Sequence, residues 1–124
     1  MKRNPDLGAA IDERLSAAIE RANYQITLNN QKQNARLKLD VDLTYATGGG
    51  LFKITPELIN FVTTLHSMGH EDAVLLDVNK NPTHIQDLFG FREIIVEQYF
   101  QAMNEYAVEF NKIKKARQPQ KLVE

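Results

Sequence analysis

The chain contains no cysteine, and this one absence removes several chemistries together. Disulfides, thiolate metal sites and a thiol nucleophile are excluded, so the fold has to be held by packing alone. Serine is nearly as scarce. Ser16 and Ser67 are the only two, and neither lies in a Gly-x-Ser-x-Gly elbow, which leaves acyl transfer without a nucleophile. No apolar run approaches the roughly 18 residues that span a membrane, and the segment from Met1 to Asp6 leads into a helical pattern without an apolar signal-peptide core. The expectation is a soluble chain with no membrane partner.

The 124 residues suffice for one domain that buries roughly two-thirds of its unfolded surface. A single domain over 1–117 is expected, with 118–124 a frayed basic tail that starts at Gln118-Pro119-Gln120. The net charge of −1 conceals a strong asymmetry. From Thr55 to Phe110 nine carboxylates meet only Lys80 and Arg92, whereas beyond Phe110 the bases Lys112, Lys114, Lys115, Arg117 and Lys121 meet only Glu124. Such a distribution suits a solvated face, head-to-tail association or a polyanionic partner.

The clearest pattern is an apolar stripe at Leu88, Phe91, Ile95, Tyr99, Ala102, Tyr106, Phe110 and Ile113. Its spacing of three, four and four is one face of a long helix with an 11-residue period, about 3.67 residues per turn. Ile94, Val96, Phe100, Met103 and Val108 widen the apolar sector well beyond this seam. A helix apolar over so much of its circumference must be covered on more than one side, so self-association is expected through Tyr99, Ala102, Met103, Tyr106 and Phe110.

Upstream, Asn4 and Pro5 start an amphipathic helix that runs to about Asn23 along Leu7, Ile11, Leu15, Ala18, Ile19 and Ala22. Tyr24, Ile26 and Leu28 alternate as in a strand, although Ala22 and Ile26 also continue the helical stripe; the polar run from Asn29 to Asn34 favours a strand and a turn. Leu37, Leu39, Val41, Leu43 and Tyr45 alternate with charged or polar residues, the pattern of a strand buried on one side. Gly48-Gly49-Gly50 breaks it, and Leu51 to Ile54 reads as a return strand. Thr55 and Pro56 open a helix that Gly69 stops. Ala73 to Val78 reads as a strand leading into the turn Asn79-Lys80-Asn81-Pro82, after which Thr83 or Asp87 caps the last helix. These elements predict an α+β fold in which three helices pack on a small antiparallel sheet of three or four strands, with the C-terminal helix the longest.

Three local patterns invite chemistry. Asp77, Asn79 and Asn81 alternate like the first ligands of a calcium loop, but Pro82 stands where the loop needs glycine and Leu88 where it needs a bidentate glutamate. An Asn-rich turn whose aspartate bonds local amides fits better. His66 and His70 have metal-ligand spacing on a helix, yet Gly69 should end the helix between them and His84 is distant in sequence. The glycine triplet is followed by no Lys-Ser/Thr and reads as a hairpin loop. No catalytic, metal or cofactor site is expected, and the protein is read as no enzyme.

The stretches Leu43-Thr44-Tyr45-Ala46-Thr47-Gly48-Gly49-Gly50-Leu51-Phe52-Lys53-Ile54 and Asn104-Glu105-Tyr106, with Lys114-Lys115-Ala116-Arg117, resemble small uncharacterised proteins of large contractile-tailed bacteriophages. The resemblance brings no functional residues; it implies a virion, assembly or phage-regulatory role, in the host cytoplasm or the virion, over a metabolic one. The leading expectation is a non-enzymatic assembly, structural or adaptor protein that acts as a homo-oligomer and engages a protein partner. The alternative is a nucleic-acid-binding regulator that uses Lys112, Lys114, Lys115, Arg117 and Lys121.

Overall fold

The structure is a computed structural model that describes residues 5–115. Helix α1 (Pro5–Asp42) is followed by strands β1 (Thr44–Thr47) and β2 (Gly50–Lys53) and helix α2 (Pro56–Ser67). Strands β3 (Ala73–Leu76) and β4 (Pro82–Ile85) and helix α3 (Leu88–Lys115) complete the order. The α+β class holds. The single sheet of three or four strands does not, because β1–β2 and β3–β4 are separate antiparallel pairs.

The larger correction is in α1. The strand expected at 24–28, the turn at 29–34 and the greater part of the strand expected at 37–45 are one uninterrupted helix that ends at Asp42, and only the end of that expected strand, Thr44 and Tyr45, lies in β1. The alternation of Leu37, Leu39, Val41 and Leu43 is real in sequence, but Leu37 and Val41 are exposed, while Leu39 and Leu43, four residues apart, turn to the core. Continuing a helix already formed adds one hydrogen bond per residue ordered, and arginine, leucine and lysine favour it. That outweighs a period-two pattern whose apolar face would have found no sheet to cover.

The chain divides into two compact units, one built from α1 up to Ala35 with the segment from Glu109 onward, the other from Arg36 to Val108. In the first, Tyr24, Leu28 and Lys32 of α1 line a shallow hollow with Phe110, Ile113 and Lys114 of α3. Ile113 is buried.

The second unit holds the main core, in which Phe52, Ile54, Val62, Leu88 and Ile95 are almost wholly buried. Phe91 meets Phe52 edge-on with ring centroids 5.3 Å apart, and the ring of Tyr45 lies 6.0 Å from that of Phe91. Gln98 of α3 donates to the carbonyls of Asp42 and Thr44 at 2.7 and 3.0 Å, satisfying backbone where α1 ends and β1 begins. Helix α2 starts as the sequence suggests: Thr55 accepts from the Leu58 amide at 3.1 Å, Pro56 follows, and Gly69 adopts φ +91° beyond the last turn. Asp87 caps α3 by accepting from the Gly90 amide at 3.0 Å. The last helix therefore runs unbroken from Leu88, with Gly90 inside its first turn.

Gly48 and Gly49, at φ +59° and +82°, form a two-residue turn of the kind that matches strand twist. Gly50 serves a different purpose. It is buried, and a Cβ there would collide with the buried Thr83 hydroxyl of β4, so it permits the two hairpins to approach. Gly50→Ala should therefore destabilise the fold by about 1–3 kcal/mol through overpacking, whereas Gly49→Asn, at a turn position that tolerates positive φ, should change it little. Urea denaturation of both variants checks the contrast, and equal midpoints would refute it.

Candidate interaction surface

Helix α3 has two apolar sides. The 11-residue seam faces inward: Leu88, Phe91, Ile95 and Ala102 are buried, and Tyr99 packs against them. A second row, Phe89, Val96, Phe100, Met103 and Ala107, lies beside it at seven- and four-three spacing, with Glu93 in the remaining position. Phe89 is 51%, Phe100 61% and Met103 37% exposed. Of the residues expected to make contacts between copies, Ala102 is thus committed to the chain's own core and Tyr99 flanks it. Met103 is on the outward row, Tyr106 is half-buried, and Phe110 lines the hollow against α1 while remaining partly exposed. Val96, Phe100 and Met103 of this row are legible in the sequence as a widening of the apolar sector, but the stronger 11-residue seam masks that they form a row of their own, in which Val96 is half-buried.

The described part of the basic segment lies on the last turn of α3, where cations complement the negative end of the helix dipole. Lys112 pairs with Glu109 at 3.6 Å, Lys114 lines the hollow against α1, and Lys115 is exposed. Arg117 and Lys121, together with the expected frayed tail, lie outside the described residues.

The calcium-like triad is a turn. Asp77, 8% exposed, accepts at one carboxylate oxygen from the amides of Asn79 and Asn81, at 2.9 and 2.8 Å, and at the other from Leu51 of the first hairpin, at 3.2 Å. Its oxygens are engaged by amides within the fold. Lys80, at φ +60°, closes the turn by donating its amide to the Asp77 carbonyl. His66 lies on α2 with its ring 5.3 Å from that of Phe89, and His70 lies beyond the end of the helix. His84 pairs with Asp72 at 2.7 Å, both side chains exposed, and this hydrogen bond holds the Asp72 carboxyl below its ordinary range. Among the described residues no three metal-ligating side chains converge, and no helix is long and apolar enough to cross a membrane. The glycine loop contributes to an open depression with Tyr45, His84, Gln86 and Asp87 in which no charged group is buried.

No family model matches the chain, and no curated protein or solved structure does so either.

The amides of Asn81, Leu51 and Asn79 hold the Asp77 carboxyl below its ordinary value of 3.8, against the opposing effect of burial. A depressed pKa in the folded state means that the stabilisation is complete above the ordinary value and disappears as pH falls through the lower one. Asp77→Asn, which points an amide group at one or more of these donors, should lower the melting temperature at pH 7 by on the order of 10 °C. The gap should narrow below about pH 4 as the wild-type carboxylate protonates. Melting curves across pH test this, and a variant as stable as wild type at pH 7 would refute it.

Proposed function

We propose that the chain is a non-enzymatic assembly or adaptor protein that acts as a homo-oligomer, with the outward row of α3 as its contact surface. One observation carries this reading: Phe100 and Met103 stand exposed one turn apart on a helix whose adjacent side is already buried in the core. Burying a phenylalanine or methionine side chain contributes about 1.5–3 kcal/mol, and exposed aromatic and methionine residues are typical anchors at protein interfaces. The regular spacing of the row suits a second helix, which inserts its side chains between such ridges. The bacteriophage resemblance supports a virion or assembly setting for the oligomer.

At micromolar concentration the wild type should sediment as a dimer or larger species. Phe100→Glu with Met103→Glu should give a smaller species than wild type at the same concentration, with the urea midpoint of the core unchanged. A wild type that remains a compact monomer to its solubility limit would overturn the proposal. So would sub-micromolar binding of DNA or RNA that weakens steeply with salt, by about 0.7–0.9 log units per log unit of salt for each phosphate contact, and that is lost when Lys112, Lys114 and Lys115 are neutralised.

A further inference from the structure

Every residue of α1 from 11 to 23 is exposed, so among the described residues this part of the helix contributes no side chain to a core. Yet the segment is far from uniformly polar. Ile11, Leu15, Ala18, Ala22 and Ile26 follow one another at intervals of four, three, four and four, with Ile19 beside them. Ile11, Leu15, Ile19 and Ile26 are each more than half exposed. Ile11 to Ala22 and Leu15 to Ile26 are 11-residue steps, the same repeat that forms the buried seam of α3 and one that keeps a seam nearly straight or slightly right-handed.

The side of α1 that its own chain covers carries Tyr24, Leu28 and Lys32, roughly 120° around the helix from this stripe. The stripe is therefore a separate surface. An isolated helix of this length is marginal in water, because most helical stability in proteins comes from packing an apolar face. Covering the stripe supplies that packing.

The charges beside the stripe indicate what covers it. At 100° per residue, Arg14 and Arg21 border one edge, and Asp12 and Asn23 border the other. A second copy laid parallel and in register brings unlike edges together, so that Arg14 of each copy lies beside Asp12 of the other. An antiparallel copy brings like edges together and sets Arg14 towards Arg21. Ala18 and Ala22 in the middle of the stripe let the two helix axes come close.

We infer that the N-terminal half of α1 pairs in parallel and in register with the same segment of a second copy, through Ile11, Leu15, Ala18, Ala22 and Ile26, with Arg14 and Asp12 joined across the pair. This inference rests on the homo-oligomer reading and assigns it a second surface, distinct from the outward row of α3.

The absence of native cysteine makes the test clean. Ile11→Cys and Ile26→Cys, each introduced alone into the full chain, should form covalent dimers under mild oxidation. In parallel register identical positions meet within disulfide reach, whereas in an antiparallel pair they stand about 22 Å apart. Adding Asp12→Arg should abolish the Ile11→Cys cross-link, and adding Arg14→Asp as well should restore it. Cross-links that form only when the Ile11→Cys and Ile26→Cys chains are mixed would overturn the parallel arrangement. A chain that sediments as an oligomer yet cross-links at neither position would overturn this inference and leave the α3 surface standing. A monomer would overturn both.

Discussion

The carboxylate of Asp77 is the joint of the second unit. Two of its three amide partners lie in its own turn, but the third, Leu51, belongs to the other hairpin. Leu51 pairs with Ala46 in the register of β1 and β2, at the position where a two-residue hairpin directs amide and carbonyl away from the neighbouring strand. Both groups find partners across the gap, the amide on Asp77 and the carbonyl on the Val78 amide at 2.8 Å. An edge that would invite a foreign strand is thereby closed. Two hairpins too small to stand alone thus become one support beneath α2 and α3, with Gly50 against Thr83 setting how closely they meet.

The parts of this fold that could be read from the amino acids are those decided locally. Thr55-Pro56 at the start of α2, Gly69 beyond its end, the glycine turn and the Asp77 loop depend on backbone geometry and neighbouring hydrogen bonds, and the structure reproduces each. Residues 24–42 could not be read in this way. Polar Asn29 to Asn34 and alternating Leu37 to Leu43 are compatible with either helix or strand, and the outcome depends on Leu39 and Leu43 reaching a core assembled from residues far along the chain. The pairing of strands escaped for a similar reason, since nothing in β2 or β3 specifies whether their edges join by a ladder or by the Asp77 carboxylate and a single backbone hydrogen bond. The candidate surface was half visible: the width of the apolar sector on α3 could be read, but which of Tyr99, Ala102 and Met103 faces inward is set by packing.

The two apolar rows of α3 differ in period. The inward row repeats every 11 residues and stays in line with a core on one side of the helix, whereas the outward row follows seven-residue spacing, which favours a partner that wraps to the left. One helix can serve both because the rows drift only slowly relative to each other over its length. The buried row carries the bulky Phe91 and Ile95 at its start, near the hairpins. Phe100 and Met103 follow on the other side.

The N-terminal half of α1 has a thermodynamic consequence of its own. A segment exposed throughout among the described residues would draw its folding free energy from whatever covers it, and its order would then be governed by mass action. Pairing with a second copy, as inferred above, would make its population of helix a function of concentration, a dependence that the core around Phe52, Leu88 and Ile95 would not share. The molecule would then have no single stability. On that inference one part would melt as an independent protein does, and the other would report how many copies are present.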